Sequence, residues 1–352
     1  MVQPKPLVLV TGASGFIGSH CILALLGSNK FSVRGTVRSI GSKSTAHLTT
    51  HPGLKDATLV EADLLKDAGW DAAVAGCDYV LHVASPFPIG KVPENSLVQP
   101  AVEGTERVLR AAAKNKVKRV VLTSSVAAVS GGRADGDVEE RTFKEDAWSN
   151  PDKQDEYGKS KTLAERKAWA LAKELNLDLI VINPSYVLGP VLSDRLDYSS
   201  LTMVRRLLNG DMPAVPKLWV TAVDVRDVAS AHVAALDLPL PSEVAEERRY
   251  ILDNGQPLWM PEIAKVLRST FPGYGVPRFT APYLLVALFG LWDNDAAAVR
   301  PSIGVKVTSY DPSKARALLG GTLRSFETSL KEMGESLAEK GLVTPAKSKA
   351  EA

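Results

Sequence analysis

The stretch VLVTGASGFIGSHCILALL, from Val8 to Leu26, changes from one kind of secondary structure to another around three glycines. An apolar, β-branched run ends at Gly12, and apolar residues spaced for one helical face follow Ser19. Gly12, Gly15 and Gly18 lie between the two, in the spacing Gly-x-x-Gly-x-x-Gly. The stretch therefore predicts a strand, a tight glycine turn and a helix.

The glycine turn has the features of a dinucleotide site. A backbone without Cβ atoms can approach a pyrophosphate, and the helix N-terminus offers N–H groups and a partial positive charge. The strand, turn and helix context raises the motif above chance. The alternative, glycines that serve only a tight turn and close helix packing, stays open. The cofactor is expected to contact Thr11, Gly12, Ser14, Gly15, Phe16, Ile17 and Gly18.

Strand-like segments recur along the first half of the chain. Several are near-continuous in Val, Leu and Ile, which is typical of strands covered on both faces. The six segments are PLVLVTG, FSVRGTV, ATLVEADL, CDYVLHVAS, VKRVVLTSS and LDLIVINPS. Helical stretches at 100–114 and 157–175 separate the later ones. This order predicts an α/β fold with a Rossmann-type, doubly wound parallel sheet and helices on both faces.

The sequence changes in character after residue 190, where loops, a helix around 201–208 and a proline-rich segment follow. We expect a smaller C-terminal substrate-binding region there. The predicted division is 1–190 plus 223–252 for the dinucleotide-binding domain, 191–222 plus 253–342 for the substrate-binding region, and 343–352 for a disordered tail.

Composition limits the classes of function. A net charge of +2 gives no broad attraction to nucleic acid or membrane. Cys21 and Cys77 are too few for a disulfide framework, and the first residues lack the order of a signal peptide, so a cytoplasmic protein is expected. The apolar run from Ala281 to Trp292 has about half of the roughly 20 residues that cross a bilayer. It is expected to form a buried or partly buried helix.

The residues after the second strand indicate which dinucleotide binds. An acid at this place takes the ribose hydroxyls of NAD, whereas an arginine accommodates the 2′-phosphate of NADP. The strand VRGTVRS ends without Asp or Glu, and Arg38 lies 20 residues beyond Gly18, with Lys43 following. Arg34 lies inside the strand and is the weaker candidate. We therefore expect NADP(H), with an ordinary surface role for Arg38 as the alternative.

A second group of residues has the chemistry of proton transfer. Tyr157 and Lys161 lie four residues apart at the start of a helix and so share a face. A nearby ammonium favours the phenolate and lowers the tyrosine pKa. Ser125 follows a strand, at the sheet edge where ligands of doubly wound folds bind. The alternative for the Tyr-x-x-x-Lys pair is a helix surface with a half-buried tyrosine.

Together, VTGASGFIGSH, ADL, HVASP, VLTSS, YGKSK, NPSYVLGP and VDVRDVASAHVAAL resemble the extended short-chain dehydrogenase/reductase family, in that family's order. VRGTVRS, HVASPF and SKTLAER are similar to its dihydroflavonol 4-reductase-like branch, which includes microbial carbonyl and aldehyde reductases. The resemblance implies that Ser125, Tyr157 and Lys161 are catalytic. It also implies cofactor contacts from Asp63, Leu64, Val83, Ala84, Ser85, Thr123, Pro184 and Val187. Asp63 has a helix cap as its alternative, and for His82 the core is the favoured place.

One position departs from the flavonoid-reducing members of the branch. They carry an asparagine five residues past the catalytic serine, whereas this chain has Ser130. A broader carbonyl pocket is therefore expected. Candidate pocket residues, each with plain core or loop packing as an equal alternative, are Phe87, Val126, Ser130, Tyr186 and Trp219.

The expected activity is NADPH-dependent reduction of an aldehyde or ketone to an alcohol. The alternatives are an NAD-dependent nucleotide-sugar epimerase or dehydratase, a sterol-type dehydrogenase, and a non-catalytic NADP-binding sensor. No metal is expected, because His47 and His51 run into a proline and a loop without an acid or cysteine partner. The expected partner is a small carbonyl substrate, and the chain is expected to be a monomer or a homodimer.

Overall fold

The computed structural model of the chain describes residues 4–85, 96–132, 141–195, 199–241, 248–292 and 307–346. Its strands are β1 (Leu7–Thr11), β2 (Ser32–Val37), β3 (Thr58–Glu61), β4 (Tyr79–His82), β5 (Arg119–Thr123), β6 (Arg141–Phe143), β7 (Leu179–Pro184), β8 (Tyr186–Leu188), β9 (Val215–Pro216), β10 (Trp219–Asp224), β11 (Arg249–Leu252), β12 (Pro257–Trp259), β13 (Thr280–Ala281) and β14 (Thr308–Tyr310). Its α-helices are α1 (Phe16–Gly27), α2 (Ala46–Thr50), α3 (Trp70–Val74), α4 (Val98–Lys114), α5 (Ala127–Ser130), α6 (Glu156–Glu174), α7 (Ser199–Asn209), α8 (Val225–Leu236), α9 (Met260–Thr270), α10 (Tyr283–Phe289), α11 (Ser313–Leu319) and α12 (Phe326–Glu339). Short 3₁₀ helices lie at Lys43–Thr45 and Pro151–Lys153.

Within the described residues, seven strands form one parallel sheet in the order β11-β7-β5-β4-β1-β2-β3. The chain starts in the middle at β1, runs outward through β2 and β3, and then crosses to β4 on the other side of β1. Thr11 at the end of β1 lies opposite His82 at the end of β4. This change of direction between β1 and β4 creates a crevice at the carboxyl edge of the sheet. The predicted Rossmann-type fold is confirmed.

Helices cover both faces of this sheet, as the apolar strands require. The central residues of β1 and β7 are fully buried, because each lies between two helical layers. On one face α1 and α8 pack on the sheet through residues such as Ile22 and Val228. On the other face α4 and α6 pack through residues such as Leu109 and Trp169. Burial of both faces fixes the positions of the strand ends that carry the site.

The later part of the chain has an apolar core of its own. Helices α7, α9 and α12 contribute Leu207, Leu267 and Met333 to it. A small sheet in the order β12-β10-β8 lies beside this core. Because β8 precedes residue 190 and pairs with β10, the two predicted parts meet in one sheet. The predicted domain boundaries stay a prediction.

Two expectations for the C-terminal part have different outcomes. The run from Ala281 to Trp292 contains the short helix α10, which is partly buried, because Val286 is buried whereas Leu284, Leu291 and Trp292 are largely exposed. The expectation of a disordered tail was wrong for its first residues. The expected tail is ordered at its start, because Val343 is buried in the later core and the Thr344 amide donates to Asn209 Oδ1 at 3.0 Å. The apolar contact of Val343 explains the difference, whereas 347–352 lie outside the described residues.

In the part of the chain that the structure describes, no helix combines the length and the apolar character needed to cross a bilayer.

Candidate active site

The candidate site lies at the carboxyl edge of the parallel sheet, where three strands end side by side. The glycine loop follows β1, residues 83–85 follow β4, and Ser124 and Ser125 follow β5. Helix α6 begins at Glu156 and brings Tyr157 and Lys161 to the same edge. The sheet order therefore gathers segments that are separated by up to about 150 residues in the sequence.

The glycine loop has a shape that side chains would fill. Gly12 has a φ of 67°, and a Cβ atom there would lie 3.0 Å from the Cα of Ala84. A Cβ atom on Gly18 would lie 2.2 Å from the carbonyl oxygen of Gly12. Helix α1 begins at Phe16 without a side-chain cap, so its first N–H groups are oriented toward the loop. This bare backbone fits the pyrophosphate of a dinucleotide.

Two predicted cofactor contacts have hydroxyls that bind buried histidines. The Thr11 hydroxyl shares a 2.9 Å hydrogen bond with His82 Nδ1 and accepts one from the Ala84 amide at 3.0 Å. The Thr123 hydroxyl shares a 2.7 Å bond with His232 Nε2. His82 lies in the core, the place the sequence favoured. The role of the two threonines toward a cofactor stays a prediction based on position.

The predicted phosphate-binding side chains lie after β2. Arg38 follows the strand directly and is exposed, and Lys43 is exposed in the short 3₁₀ helix. Arg34, the weaker candidate, donates to the carbonyl oxygens of Ala73 and Ala75 at 2.7 and 2.8 Å. It therefore caps the end of α3, whereas the side chains of Arg38 and Lys43 are exposed to solvent.

The remaining predicted cofactor contacts lie along the same edge. The Asp63 carboxylate accepts from the Leu65 amide at 3.1 Å, a turn contact of the kind its alternative implied. Leu64 lies against Gly104 of α4, because a Cβ atom on Gly104 would lie 3.0 Å from the Cβ of Leu64. The half-buried residues of the segment after β4 are Val83, Ala84 and Ser85. Pro184 ends β7, and Val187 lies in β8.

The three predicted catalytic side chains come together. The Asp155 carboxylate caps α6 by accepting from the Gly158 amide at 2.8 Å, which starts the helix just before Tyr157. The Tyr157 side chain hydrogen-bonds the Ser125 side chain. Lys161 Nζ lies 5.9 Å from the centroid of the Tyr157 ring, one helical turn along. Because Tyr157 and Lys161 share one face of the helix, both meet the end of β5.

The electrostatics of the pair differ from the prediction. Burial raises the pKa of Tyr157 above its usual range, and the hydrogen bond with Ser125 opposes this rise. Burial lowers the pKa of Lys161 to about 8, and the charge of Glu165 works in the opposite direction. The predicted lowering of the tyrosine pKa was therefore wrong, because desolvation of the phenol dominates. The phenol stays protonated near neutral pH, and the ammonium is charged below about pH 8.

The predicted pocket residues lie in different elements of the structure. Ser130 ends α5, and its hydroxyl shares a 2.6 Å hydrogen bond with the hydroxyl of Tyr310. Val126 packs against the small apolar cluster that includes Tyr310. Tyr186 lies in β8, and Trp219 lies opposite Trp259 in the small sheet. Phe87 lies outside the described residues.

Sequence reasoning missed several polar residues next to the predicted ones. Arg195 donates to Ser14 Oγ in the glycine loop at 3.2 Å. Glu165, Asn183 and Arg249 form a buried polar cluster behind Lys161 and Ser125. The spacing of Glu165 four residues after Lys161 was a signal for its place on the same helix face. No local signal indicated Arg195 or Arg249. The described residues contain no group of three or more possible metal ligands.

Comparison with known proteins gives this geometry a context. The profile of the NAD dependent epimerase/dehydratase family matches residues 8–247. Cinnamoyl-CoA reductase 2 of Arabidopsis thaliana is 40% identical over 282 residues, which cover 79% of this chain and 81% of that relative. Dihydroflavonol 4-reductase of the same plant is 36% identical over 291 residues, which cover 79% of this chain and 72% of that relative.

A solved structure is similar over almost the whole length. Yeast methylglyoxal/isovaleraldehyde reductase Gre2, complexed with NADPH, has a TM-score of 0.75 and 27% identity to this chain. The match covers 96% of this chain and 100% of that one. The chain therefore belongs to the NAD dependent epimerase/dehydratase family, that is, to the extended short-chain dehydrogenases/reductases, and to their dihydroflavonol 4-reductase-like branch.

Proposed function

We propose that this oxidoreductase reduces an aldehyde or a ketone to an alcohol with NADPH. The reductases among its relatives and the NADPH complex of Gre2 support the reaction class and the cofactor. NADPH, when bound, supplies the hydride that reduces the carbonyl carbon. The residues of the chain bind it, orient the carbonyl oxygen and deliver the proton.

The observation that carries the proposal is the contact between Ser125 and Tyr157 beside Lys161. In our proposal the Ser125 hydroxyl donates to the carbonyl oxygen and orients it. Tyr157 then gives that oxygen its phenolic proton, as a general acid. The ammonium of Lys161 holds the nicotinamide ribose and stabilises the phenolate that remains. The raised pKa of Tyr157 suits this direction, because it keeps the proton available near neutral pH.

The cofactor fits through the loop and through the residues after β2. The backbone of Gly12 to Phe16 receives the pyrophosphate, and the exposed Arg38 binds the 2′-phosphate with paired, charge-assisted hydrogen bonds. Replacement of Arg38 by Ala is expected to weaken NADPH binding while NADH binding stays the same. Quenching of protein fluorescence by each nucleotide measures both affinities.

The carbonyl compound is proposed to lie between the triad and the later part of the chain. Val126, Ser130, Tyr186 and Trp219 are the described side chains that we assign to its pocket, and their positions after β5 and in the small sheet support this. Ser130 stands where flavonoid-reducing members have an asparagine, which favours a broader range of carbonyl compounds. Both cysteines are buried as free thiols, and this supports a cytoplasmic location.

A panel of carbonyl compounds tests the proposal. Aryl and aliphatic aldehydes, diketones, ketoesters and flavanonols are each mixed with the protein and NADPH, and with NADH in parallel, and the absorbance of the reduced nucleotide is followed. We expect oxidation of NADPH with at least one class and slower oxidation of NADH. Binding of NADPH with no oxidation across the panel would instead indicate a sensor. Purified protein that carries NAD and converts a sugar nucleotide without added reductant would indicate an epimerase or dehydratase.

A further inference from the structure

A buried carboxylate lies directly behind the catalytic helix face. Glu165 lies one helical turn beyond Lys161 on α6, and its side chain is fully buried. Its Oε2 atom accepts from the Ser124 hydroxyl at 2.6 Å and from the Asn183 amide at 2.8 Å. The same Asn183 amide donates to the carbonyl oxygen of Ser125 at 3.2 Å. Glu165 is therefore joined to the end of β5, where the catalytic serine lies.

The other oxygen of this carboxylate is held from the edge of the sheet. Oε1 accepts from Arg249 Nε at 2.6 Å, and the Arg249 side chain is 1% exposed. The Arg249 guanidinium also donates to the carbonyl oxygens of Glu145 and Ala147 at 2.7 and 2.6 Å. It lies 4.0 Å from the centroid of the Trp148 ring. Because Arg249 is held by these contacts, it holds the Glu165 carboxylate at a constant position relative to Lys161.

The charged and titratable groups around Lys161 come from three elements. Tyr157 lies on α6 itself, and His82 faces Lys161 from β4. Burial lowers the pKa of His82 to about 3, so this imidazole is neutral near pH 7. Arg249 on β11 acts through its ion pair with Glu165. Among the described residues, Glu165 is the carboxylate whose charge supports the ammonium of Lys161.

A small cavity lies between α4 and α6, beside Lys161 and Glu165. It has a volume of about 10 Å³, which is about the space of one water molecule. Its polar lining includes Ser85, Thr105, Ser124, Lys161 and Glu165. Lys161 and Glu165 therefore line the same small, partly open space, and both side chains are buried, so the field of the carboxylate is less screened than in bulk water.

We propose that Glu165 is a positioning residue for the reduction, which keeps Lys161 as an ammonium and holds the end of β5 in place, and that Arg249 fixes Glu165 for this purpose. This inference rests on the proposed function, because it assigns Lys161 the role given there. It adds a residue that acts through Lys161 and touches neither the carbonyl compound nor the cofactor.

The charge of Lys161, and with it the activity, is expected to depend on pH. Burial lowers the pKa of Lys161 to about 8 from the ordinary 10.5, so activity and cofactor binding of the wild type are expected to fall as the pH rises through about 8. Removal of the Glu165 charge takes away the group that raises this pKa. The fall is then expected at a pH lower by at least about one unit, the smaller end of the effect of a neighbouring opposite charge.

The test compares pH profiles of kcat/KM with the pH dependence of the NADPH dissociation constant, measured by fluorescence. The main variant is Glu165→Gln, which keeps the shape of the side chain and removes its charge. A paired variant, Glu165→Gln with Arg249→Met, leaves no buried charge without its partner and keeps the test available if the single variant does not fold. Glu174→Gln, on the exposed face of the same helix, removes a carboxylate that contacts Arg110 and is the matched control.

Both Glu165 variants are expected to move the alkaline fall to lower pH in both measurements, and Glu174→Gln is expected to leave it at the wild-type position. A lower kcat/KM at every pH, with the alkaline fall at the same pH as in the wild type, would show a structural role only and would overturn the proposal. If the wild type reduces no carbonyl compound, the proposed function fails, but a moved fall in NADPH binding would still support the role of Glu165. If the wild type is active and NADPH binding of every variant titrates like that of the wild type, the inference fails alone.

Discussion

At the scale of single residues, Tyr157 gives the sharpest test of the proposed chemistry. Tyr157→Phe keeps the ring and removes the proton that the carbonyl oxygen would receive. We expect turnover to fall by at least ~100-fold, the usual contribution of a general acid. NADPH binding should persist, because the glycine loop and Arg38 are unchanged. Turnover and fluorescence titration with NADPH measure the two effects separately.

Tyr79→Phe is the matched control for this change. Tyr79 begins β4, at the edge of the sheet opposite to the site, where its ring packs edge-on against Phe31 at 6.4 Å. Its loss of a hydroxyl should leave turnover near the wild-type value. Near-normal turnover of Tyr157→Phe would remove Tyr157 from the role of proton donor.

Gly18 and Gly27, at the two ends of α1, allow a second comparison at this scale. A Cβ atom on Gly18 would lie 2.2 Å from the carbonyl oxygen of Gly12, whereas one on Gly27 would meet nothing within 4 Å. Gly18→Ala is expected to lower the free energy of unfolding by about 1–3 kcal/mol, the cost of overpacking. It should also weaken NADPH binding, because the loop must shift.

Gly27→Ala, at the last residue of the same helix, is expected to raise the free energy of unfolding by about 0.4–1 kcal/mol, because alanine has fewer backbone conformations than glycine in the unfolded chain. Urea unfolding measures both variants. Equal stabilities of the two alanine variants would contradict the close approach of α1 to the loop.

The residue scale also shows what the sequence can reveal about the site. The four-residue spacing of Tyr157 and Lys161 fixes their relation, because a helix places such residues on one face. The partners of the Thr11 and Thr123 hydroxyls could not be predicted in the same way. His82 and His232 reach them across the sheet and from α8, so these contacts depend on strand order and register. The pKa of Tyr157 likewise depends on burial by residues far away in the sequence.

At the scale of elements, helix α8 ends on a buried arginine of β5. Arg119 donates to the carbonyl oxygens of Ala235 and Leu236 at 2.7 and 3.2 Å, at the C-terminus of α8. It also forms an ion pair with Asp178, at 2.6 Å, just before β7. One side chain therefore joins two neighbouring strands to a helix that covers them. A cation suits this place, because the helix C-terminus carries a partial negative charge.

Arg119→Met tests this junction, since methionine retains apolar bulk but offers no donors. The carbonyl oxygens of α8 would then be buried without partners, and Asp178 would keep Arg248 as its ion-pair partner. We expect a loss of about 2–6 kcal/mol in the free energy of unfolding, because two buried carbonyl oxygens lose their donor at a cost of about 1–3 kcal/mol each. Urea unfolding followed by circular dichroism measures it.

The neighbouring Lys118→Met serves as the control. Lys118 pairs with Asp78 at the surface, and such a pair contributes about 1 kcal/mol at most. If both variants lost the same stability, Arg119 would have no special part in joining α8 to the sheet.

The same scale shows which elements a local pattern predicts. The strands β1, β5 and β7 were predicted because they are continuous runs of apolar residues. Strand β11 was not singled out, because its first residues, Arg249 and Tyr250, interrupt such a run. Arg249 can lie in the buried sheet because Glu165 neutralises it from a helix 84 residues earlier. A pairing over that distance leaves no mark in the local sequence.

At the scale of the whole molecule, three buried histidines make stability depend on pH. Burial lowers the pKa of His20 and His232 to about 4 and that of His82 to about 3. Below pH 6.5 these imidazoles bind protons in the unfolded chain, whereas in the folded chain they stay neutral until the pH approaches their lowered pKa values. The contribution of these groups is therefore complete above pH 6.5 and is lost as the pH falls toward 4.

We expect the free energy of unfolding to fall between pH 6.5 and 4, by roughly 3 kcal/mol for each of His20, His82 and His232. Asp253 acts in the opposite direction, because burial raises its pKa to about 6. The folded chain therefore binds this proton as the pH falls through about 6, whereas the unfolded chain binds it only near 3.8. It offsets part of the effect of one histidine. Urea unfolding at several pH values measures the slope.

His232→Gln should reduce that slope by up to about 1.4 kcal/mol per pH unit, the value for one proton. The variant keeps polar atoms near Thr123 and removes the titration. Stability that does not change between pH 6.5 and 4.5 in the wild type would contradict the assignment of neutral, buried imidazoles.

The ion pair of Glu165 and Arg249 has a consequence for the order in which the molecule becomes complete. A ribosome that has made the first 200 residues has delivered the glycine loop and the three side chains that we propose as catalytic, but Glu165 still lacks its cation. Enclosing that acid in an apolar interior without a counter-ion is unfavourable. The nascent helix α6 can therefore settle fully only after residue 249 has emerged, so a prematurely terminated polypeptide that already holds the whole triad would still be inactive.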